Sequence, residues 1–346
     1  MIVARLVSYA VPAAIGLALL FGLPQVLDLF ALLQVTLYVV MAVLALSLGF
    51  VWGYGGILCL GQSAFFGLGA YAYAIAVFNI GESSLPVVIA IVLPALFAAA
   101  LGYLMFYGRI SEVYVGVITL TVTLILFNVI NSTASPEYRI GNALIGGYNG
   151  LPNVPSLNVP FDADNTLQPD DMYMVAMATL LIVYFGIRWI LRTRFGRVLV
   201  AIRENERRVE FIGFDARLHK LAAFSLGAAI AGAAGCLFVN WGSYVSPTTF
   251  SMIQSAQIII WVMVGGVGTL IGPILGAVAL SWLTAEVGTQ HVINADILFG
   301  GILIVFVLLV PRGLVPMLTE HVWSRVMQPR RKVAVAAKLA VPGGRA

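Results

Sequence analysis

A series of apolar stretches, each roughly 17–25 residues long, sets the first constraint on this chain. The densely charged interval between Arg192 and Lys220 sets the second. About 20 residues rising ~1.5 Å each cover the ~30 Å of a bilayer's hydrocarbon, so the apolar stretches can cross as helices. The charged interval, RTRFGRVLVAIRENERRVEFIGFDARLHK, cannot. A charged side chain at the bilayer centre costs roughly 2.5–3.5 kcal/mol even on lenient insertion scales, so this interval lies on one face of a membrane. Hydrophobic residues make up 61% of the chain and charged residues 10%, against about a quarter charged in soluble domains. The fold class is an all-α polytopic membrane protein.

We expect about ten transmembrane helices: Leu6–Leu23, Leu29–Val51, Ile57–Asn79, Pro86–Tyr107, Val113–Ile130, Met172–Leu191, Leu221–Trp241, Ser255–Val267, Thr269–Ala285 and Ile297–Val310. The pair around Gly265 to Gly272 can also be read as one broken unit, giving eight or nine. Met1 to Leu23 opens with Arg5 and an apolar run but shows no small-x-small cleavage site, so a retained first helix is expected rather than a secretory signal.

Loop charge orients the spans. Residues 192–220 hold eight Lys/Arg and the tail from Arg312 holds seven. Residues 131–171 hold only Arg139, against Glu137, Asp162, Asp164, Asp170 and Asp171. The positive-inside rule therefore places 192–220 and both termini in the cytoplasm and 131–171 outside, as a periplasmic loop. Residues 1–328 form the membrane domain, and the basic, Pro/Gly-containing tail 329–346 reads as disordered. The net charge of +4 follows from this loop pattern and implies no nucleic acid.

Several function classes are disfavoured. Lys, Arg and nearly all Asp and Glu map to loops or helix ends, whereas proton-driven machines need ionisable groups inside the membrane. No GxxxxGK[ST] stretch is present to cradle a nucleotide's phosphates. Cys59 and Cys236 fall inside apolar runs, and His219, His291 and His321 stand singly, so no metal site, cofactor or enzyme chemistry is read from them. Energy for active transport would have to come from a partner.

Two segments combine apolar character with dense glycine, Gly53–Gly69 and Gly265–Gly276. Each glycine weakens a helix by about 1 kcal/mol relative to alanine, so such clusters tend to break it. Broken helices in two halves of a transporter point to a translocation path. Close helix packing is the competing account, with Gly272 and Gly276 as a GxxxG pair and Gly227, Ala231 and Gly235 as a small-residue stripe. The candidate path residues are Gly55, Gly56, Gln62, Ser63, Asn128, Gly265, Gly266 and Gly268, with Thr123 a weaker one.

Within the charged interval, Val198 to Gly213 reads as an amphipathic helix with Val198, Ile202, Val209 and Ile212 on one stripe. Glu204 and Arg208 stand at the supportive i,i+4 spacing, and Gly213 follows where a helix stop commonly adopts left-handed backbone. A charged helix held between two spans can transmit force from a soluble motor.

The stretch FGRVLVAIRENERRVEFIGFD resembles the cytoplasmic coupling segment of the branched-chain amino-acid permease family, the membrane subunits of ATP-binding-cassette (ABC) importers. GYGGILCLGQSAFFGLGAYAYA, IGGYNGLPNVP, SPTTFSMIQSAQIIIWVMVGGVGTLIGPILGA and LLVPRGL are similar to other family landmarks, in the same order over about residues 30–316. Order and length look like the second of two permease paralogues. The resemblance implies a bacterial inner-membrane importer containing a paralogous permease, two ATP-binding subunits and a periplasmic solute-binding protein. It also implies that Arg203, Glu204, Arg207, Arg208, Glu210 and Gly213 dock on the ATPase. The expected solute is a branched-chain or other apolar amino acid. Urea and amide importers share the pattern, and a self-sufficient channel or carrier is the rival from another class.

Overall fold

The computed structural model describes residues 2–135, 137–159, 165–289 and 300–301. Its helices are α1 (Ile2–Val26), α2 (Leu29–Gly53), α3 (Gln62–Ile80), α4 (Ser84–Tyr107), α5 (Glu112–Asn131), α6 (Pro169–Arg192), α7 (Arg194–Phe211), α8 (Ala216–Gly242), α9 (Met252–Gly265) and α10 (Ile271–Thr289). Among the described residues, six helices are long and apolar enough to cross a membrane: α2, α3, α4, α5, α6 and α8. Shorter apolar helical stretches lie in α1, α9 and α10. The expected span Ile297–Val310 and the tail 329–346 lie outside the described residues, apart from 300–301.

Helix α8 is the hub and packs against α2, α3 and α4. Its small residues set the distance: Gly227 faces Val51 of α2, Gly232 faces Gly69 of α3, and Gly235 faces the Phe66 carbonyl of α3. With lipid as the solvent, such close approach replaces the hydrophobic effect as the source of helix association. Phe224 fills the space beside them, edge-on to Phe65 at 5.3 Å and to Phe106 at 5.8 Å.

The two ends of the bundle differ. One end collects the long 131–168 connection, which carries three two-residue strands, with a fourth just after α8; none was in the sequence-based expectation. Strand β1 (Arg139–Ile140) pairs antiparallel with β2 (Ala143–Leu144), and β3 (Leu151–Pro152) with β4 (Tyr244–Val245). Such short pieces carry no readable periodicity. Asn79 at the end of α3 holds this loop, donating to Ile140 O at 2.9 Å and accepting from Asn142 N at 2.7 Å. Ser83, which precedes α4, donates from its backbone N to Asn158 Oδ1 at 2.9 Å. The opposite end carries α7 and its many charged side chains.

Several expected boundaries shift. The first helix runs Ile2–Val26 rather than Leu6–Leu23. The third begins only at Gln62, because 54–61 is irregular. Helix α7 starts at Arg194 and is not continuous: Asn205 has φ −163° and ψ 98°. Asn205 Oδ1 accepts from Arg208 N at 3.0 Å, so it is the N-cap of a second short helix, with Glu206 at its positive end. The break removes the expected Glu204–Arg208 pair; Glu204 bonds Arg203 instead, at 2.6 Å. Val209 and Ile202 are buried, but Ile212 is 74% exposed and leaves the expected stripe.

Candidate functional site

Both glycine clusters break the chain at the charged end, beside α7. Helix α2 ends at Gly53, and residues 54–61 fold back to pack along α5, where Leu60 N donates to Thr119 Oγ1 at 3.2 Å. Thr119 lies seven residues into α5, about 10 Å along its axis, so this irregular backbone reaches membrane depth covered by protein. The second break joins α9 to α10. Gly266 at φ +116° and Gly268 at φ +87° occupy backbone regions that residues with a Cβ rarely enter.

Arg203 brings the two breaks together. Its guanidinium donates to the Gly53 carbonyl at the end of α2, and Nη1 comes within 3.6 Å of where a Cβ on Gly268 would stand. Its stem crosses Gly56, where an added Cβ would lie 2.9 Å from Arg203 Cγ. Gly53 and Gly268 are backbone neighbours, since a Cβ on Gly53 would sit 2.8 Å from Gly268 N. A cation at a helix C-terminus also offsets the negative end of the helix dipole. Residues expected in two roles, Arg203 for coupling and Gly56 and Gly268 for the path, thus meet in one cluster, with Gly55, Gly265 and Gly266 beside them in the chain.

Gln62 and Ser63 begin α3 just above it, and both are buried and satisfied by protein. Gln62 Nε2 donates to Ser47 Oγ at 2.8 Å and to Gly227 O at 3.4 Å. Ser63 Oγ shares a 2.5 Å hydrogen bond with Ser255 Oγ. They tie α3 to α2, α8 and α9. Thr123 is buried as well and donates to Thr119 O at 2.9 Å. Asn128 stands apart, sixteen residues into α5 and exposed, with Nδ2 donating to Leu124 O at 2.8 Å. Gly213 ends α7 at φ +94°.

Two contributors were not singled out in the sequence. Lys220, its side chain 9% exposed, pairs with Glu206 at 2.6 Å and approaches Glu112 at 3.9 Å. It fastens the second half of α7 to the starts of α8 and α5. Beside it lies a cavity of about 250 Å³ lined by Arg109, Glu112, Arg217 and, from α7, Glu206, Arg207 and Glu210. The available signal was Asn205 itself, a strong N-cap residue followed by an acidic one.

A bundle of apolar helices broken by glycine beside a charged, helical collar is the architecture of a multi-pass membrane protein. The chain belongs to the branched-chain amino-acid transport system permease component family, whose sequence pattern matches residues 29–308. It is 28% identical over 312 residues to the high-affinity branched-chain amino acid transport system permease protein LivM of Escherichia coli K12, covering 82% of this chain and 69% of that one. A probable branched-chain amino acid transport permease protein LivM of Methanocaldococcus jannaschii is 26% identical over 236 residues, 64% of this chain and 65% of that one. The autoinducer 2 import system permease protein LsrC of Photorhabdus laumondii is 30% identical over 112 residues, 31% and 34% respectively. No solved structure matches.

Proposed function

We propose that this chain is the membrane-spanning subunit of an ATP-driven importer for branched-chain or other apolar amino acids. The carrying observation is the family match across residues 29–308, supported by LivM similarity over 82% of the chain. In this reading α7 faces the cytoplasm and receives force from an ATP-binding subunit through Arg207, Arg208 and Glu210. Arg203 and Glu204 pass that force to the glycine breaks, and Gly213 lets the second half of α7 pivot. Two ATP-binding subunits, a paralogous permease and a periplasmic solute-binding protein complete the assembly in the bacterial inner membrane. The exposed face of α5 carrying Thr121 and Asn128 is read as lining the path between the two permeases, since polar side chains facing lipid are costly.

Reconstitution in liposomes tests the reading. Leucine uptake is expected with all subunits present and ATP supplied, and should vanish when the ATP-binding subunits are made hydrolysis-dead. Uptake by this chain alone without ATP would make it a channel or carrier, and uptake of urea but not leucine would reassign the solute. Orientation has its own check. A Glu210→Cys variant should resist an impermeant thiol reagent applied to sealed cells; labelling from outside would invert the topology.

A further inference from the structure

The cavity of about 250 Å³ beside Lys220 is lined by four cations, Arg109, Arg207, Arg217 and Lys220, against three carboxylates, Glu112, Glu206 and Glu210. Lys220 is paired with Glu206 at 2.6 Å and lies 3.9 Å from Glu112. Among the described residues, Arg109, Arg207 and Arg217 form no salt bridge. Arg217, half-buried, instead places its guanidinium carbon 5.9 Å from the centre of the Tyr107 ring. Arg109 sits in the α4–α5 turn at φ +53°, a left-handed conformation uncommon outside glycine. Ser111, whose side chain does not cap α5, adds a hydroxyl to the lining.

An apolar helix face leads to this cavity. On α4, Leu85, Val88, Val92, Leu96, Tyr103 and Tyr107 are exposed and recur three, four or seven residues apart, so they share one side. The 24-residue helix spans about 36 Å, enough for the hydrocarbon of a bilayer. At its charged end Tyr103 and Tyr107 pack with ring centres 4.7 Å apart, and amphipathic aromatics favour the head-group level. Arg217 and Arg109 stand just beyond them. A phosphodiester carries one negative charge and only accepts hydrogen bonds, and the arginine fork matches phosphate oxygens in pairs. A surplus of one cation in the lining suits that single charge, not the several charges of a nucleotide.

We propose that this cavity is a head-group site for an anionic phospholipid. Arg109 and Arg217 hold the phosphodiester, Ser111 donates beside them, and the acyl chains lie along the exposed side of α4. The opposite wall is the segment of α7 beyond Asn205, through Glu206, Arg207 and Glu210. The bound lipid therefore ties that segment to the α4–α5 turn. The site needs only the membrane-spanning bundle, so it stands or falls independently of the importer reading.

The full chain, purified from its membrane with the subunits it retains, is titrated with phosphatidylglycerol or phosphatidylcholine, and bound lipid is counted by native mass spectrometry. Phosphatidylglycerol should be held more tightly. Arg109→Gln combined with Arg217→Gln should weaken its binding roughly tenfold or more and leave phosphatidylcholine unaffected. Arg194→Gln combined with Arg197→Gln removes as much charge from the same end, outside the cavity lining, and should change little. Equal losses in the two pairs would mean general attraction to a charged surface and would overturn the site. Equal retention of both lipids by the unaltered protein would do so without any variant. Displacement of the lipid by glycerol 3-phosphate at matched concentration would make this a site for a soluble phosphate instead. Lipid binding that emerges only when ATP-binding subunits are stripped away would give the surface to that protein and end the lipid proposal.

Discussion

Replacing Arg203 with alanine is expected to cut ATP-driven uptake at least about tenfold while leaving the protein inserted and folded. The guanidinium bonds the Gly53 carbonyl, pairs with Glu204 at 2.6 Å and rests its stem on Gly56. Hydrogen bonds to charged groups contribute about 1.5–3 kcal/mol, and each 1.4 kcal/mol is tenfold. Arg203→Lys should give an intermediate defect, because an ammonium cannot reproduce the planar fork that serves a carbonyl and a carboxylate together. Gly56→Ala should resemble Arg203→Ala, since at φ +69° the new methyl is both strained and driven into the arginine stem. The measurement is uptake set against ATP hydrolysis stimulated by loaded binding protein. Hydrolysis without uptake is the expected signature, and an unchanged ratio in all three variants would remove Arg203 from the coupling route.

The second large effect concerns the hub. Gly235→Val is expected to destabilise the bundle by at least about 2–3 kcal/mol, enough to lose most folded protein from detergent extracts. A Cβ at Gly235 collides with the Phe66 carbonyl and crowds Ala70 N, which are backbone atoms of α3 that cannot rotate aside. Gly186→Val on α6 is the matched control, because nothing lies within 4 Å of a Cβ there. Size-exclusion profiles and thermal unfolding in detergent should separate the two clearly. Equal stability would mean that α3 and α8 can move apart without penalty.

Much of this was legible in the sequence because hydrocarbon imposes strict rules. Leu29–Val51 and Leu221–Trp241 were readable from length and apolarity alone, and their helices extend those limits only slightly, to Gly53 on one side and Ala216 on the other. Glycine density marked both breaks, since no other residue type makes sustained helix so costly. What periodicity could not show was depth. It suggested that Ile57–Cys59 are helical, whereas the chain folds back there along α5, where the Thr119 hydroxyl accepts from Leu60 N. The break at Asn205 was hidden for a related reason: a cap residue inside a charged amphipathic run looks like one more solvated side chain. Gln62 and Ser63 stood out as polar residues facing a solute, yet their partners are Ser47, Gly227 and Ser255 from three other helices.

The small ladder between β3 and β4 deserves a mechanical interpretation. Leu151 pairs with Val245 and Pro152 with Tyr244, while Tyr244 Oη reaches Asn149 O at 2.8 Å. Residues nearly a hundred positions apart are thereby stitched into one plate, and that plate continues through Pro247–Phe250 directly into α9. A load placed on the 131–168 connection would push on α9 as on the short arm of a seesaw, and the far arm ends at Gly265, against the arginine collar.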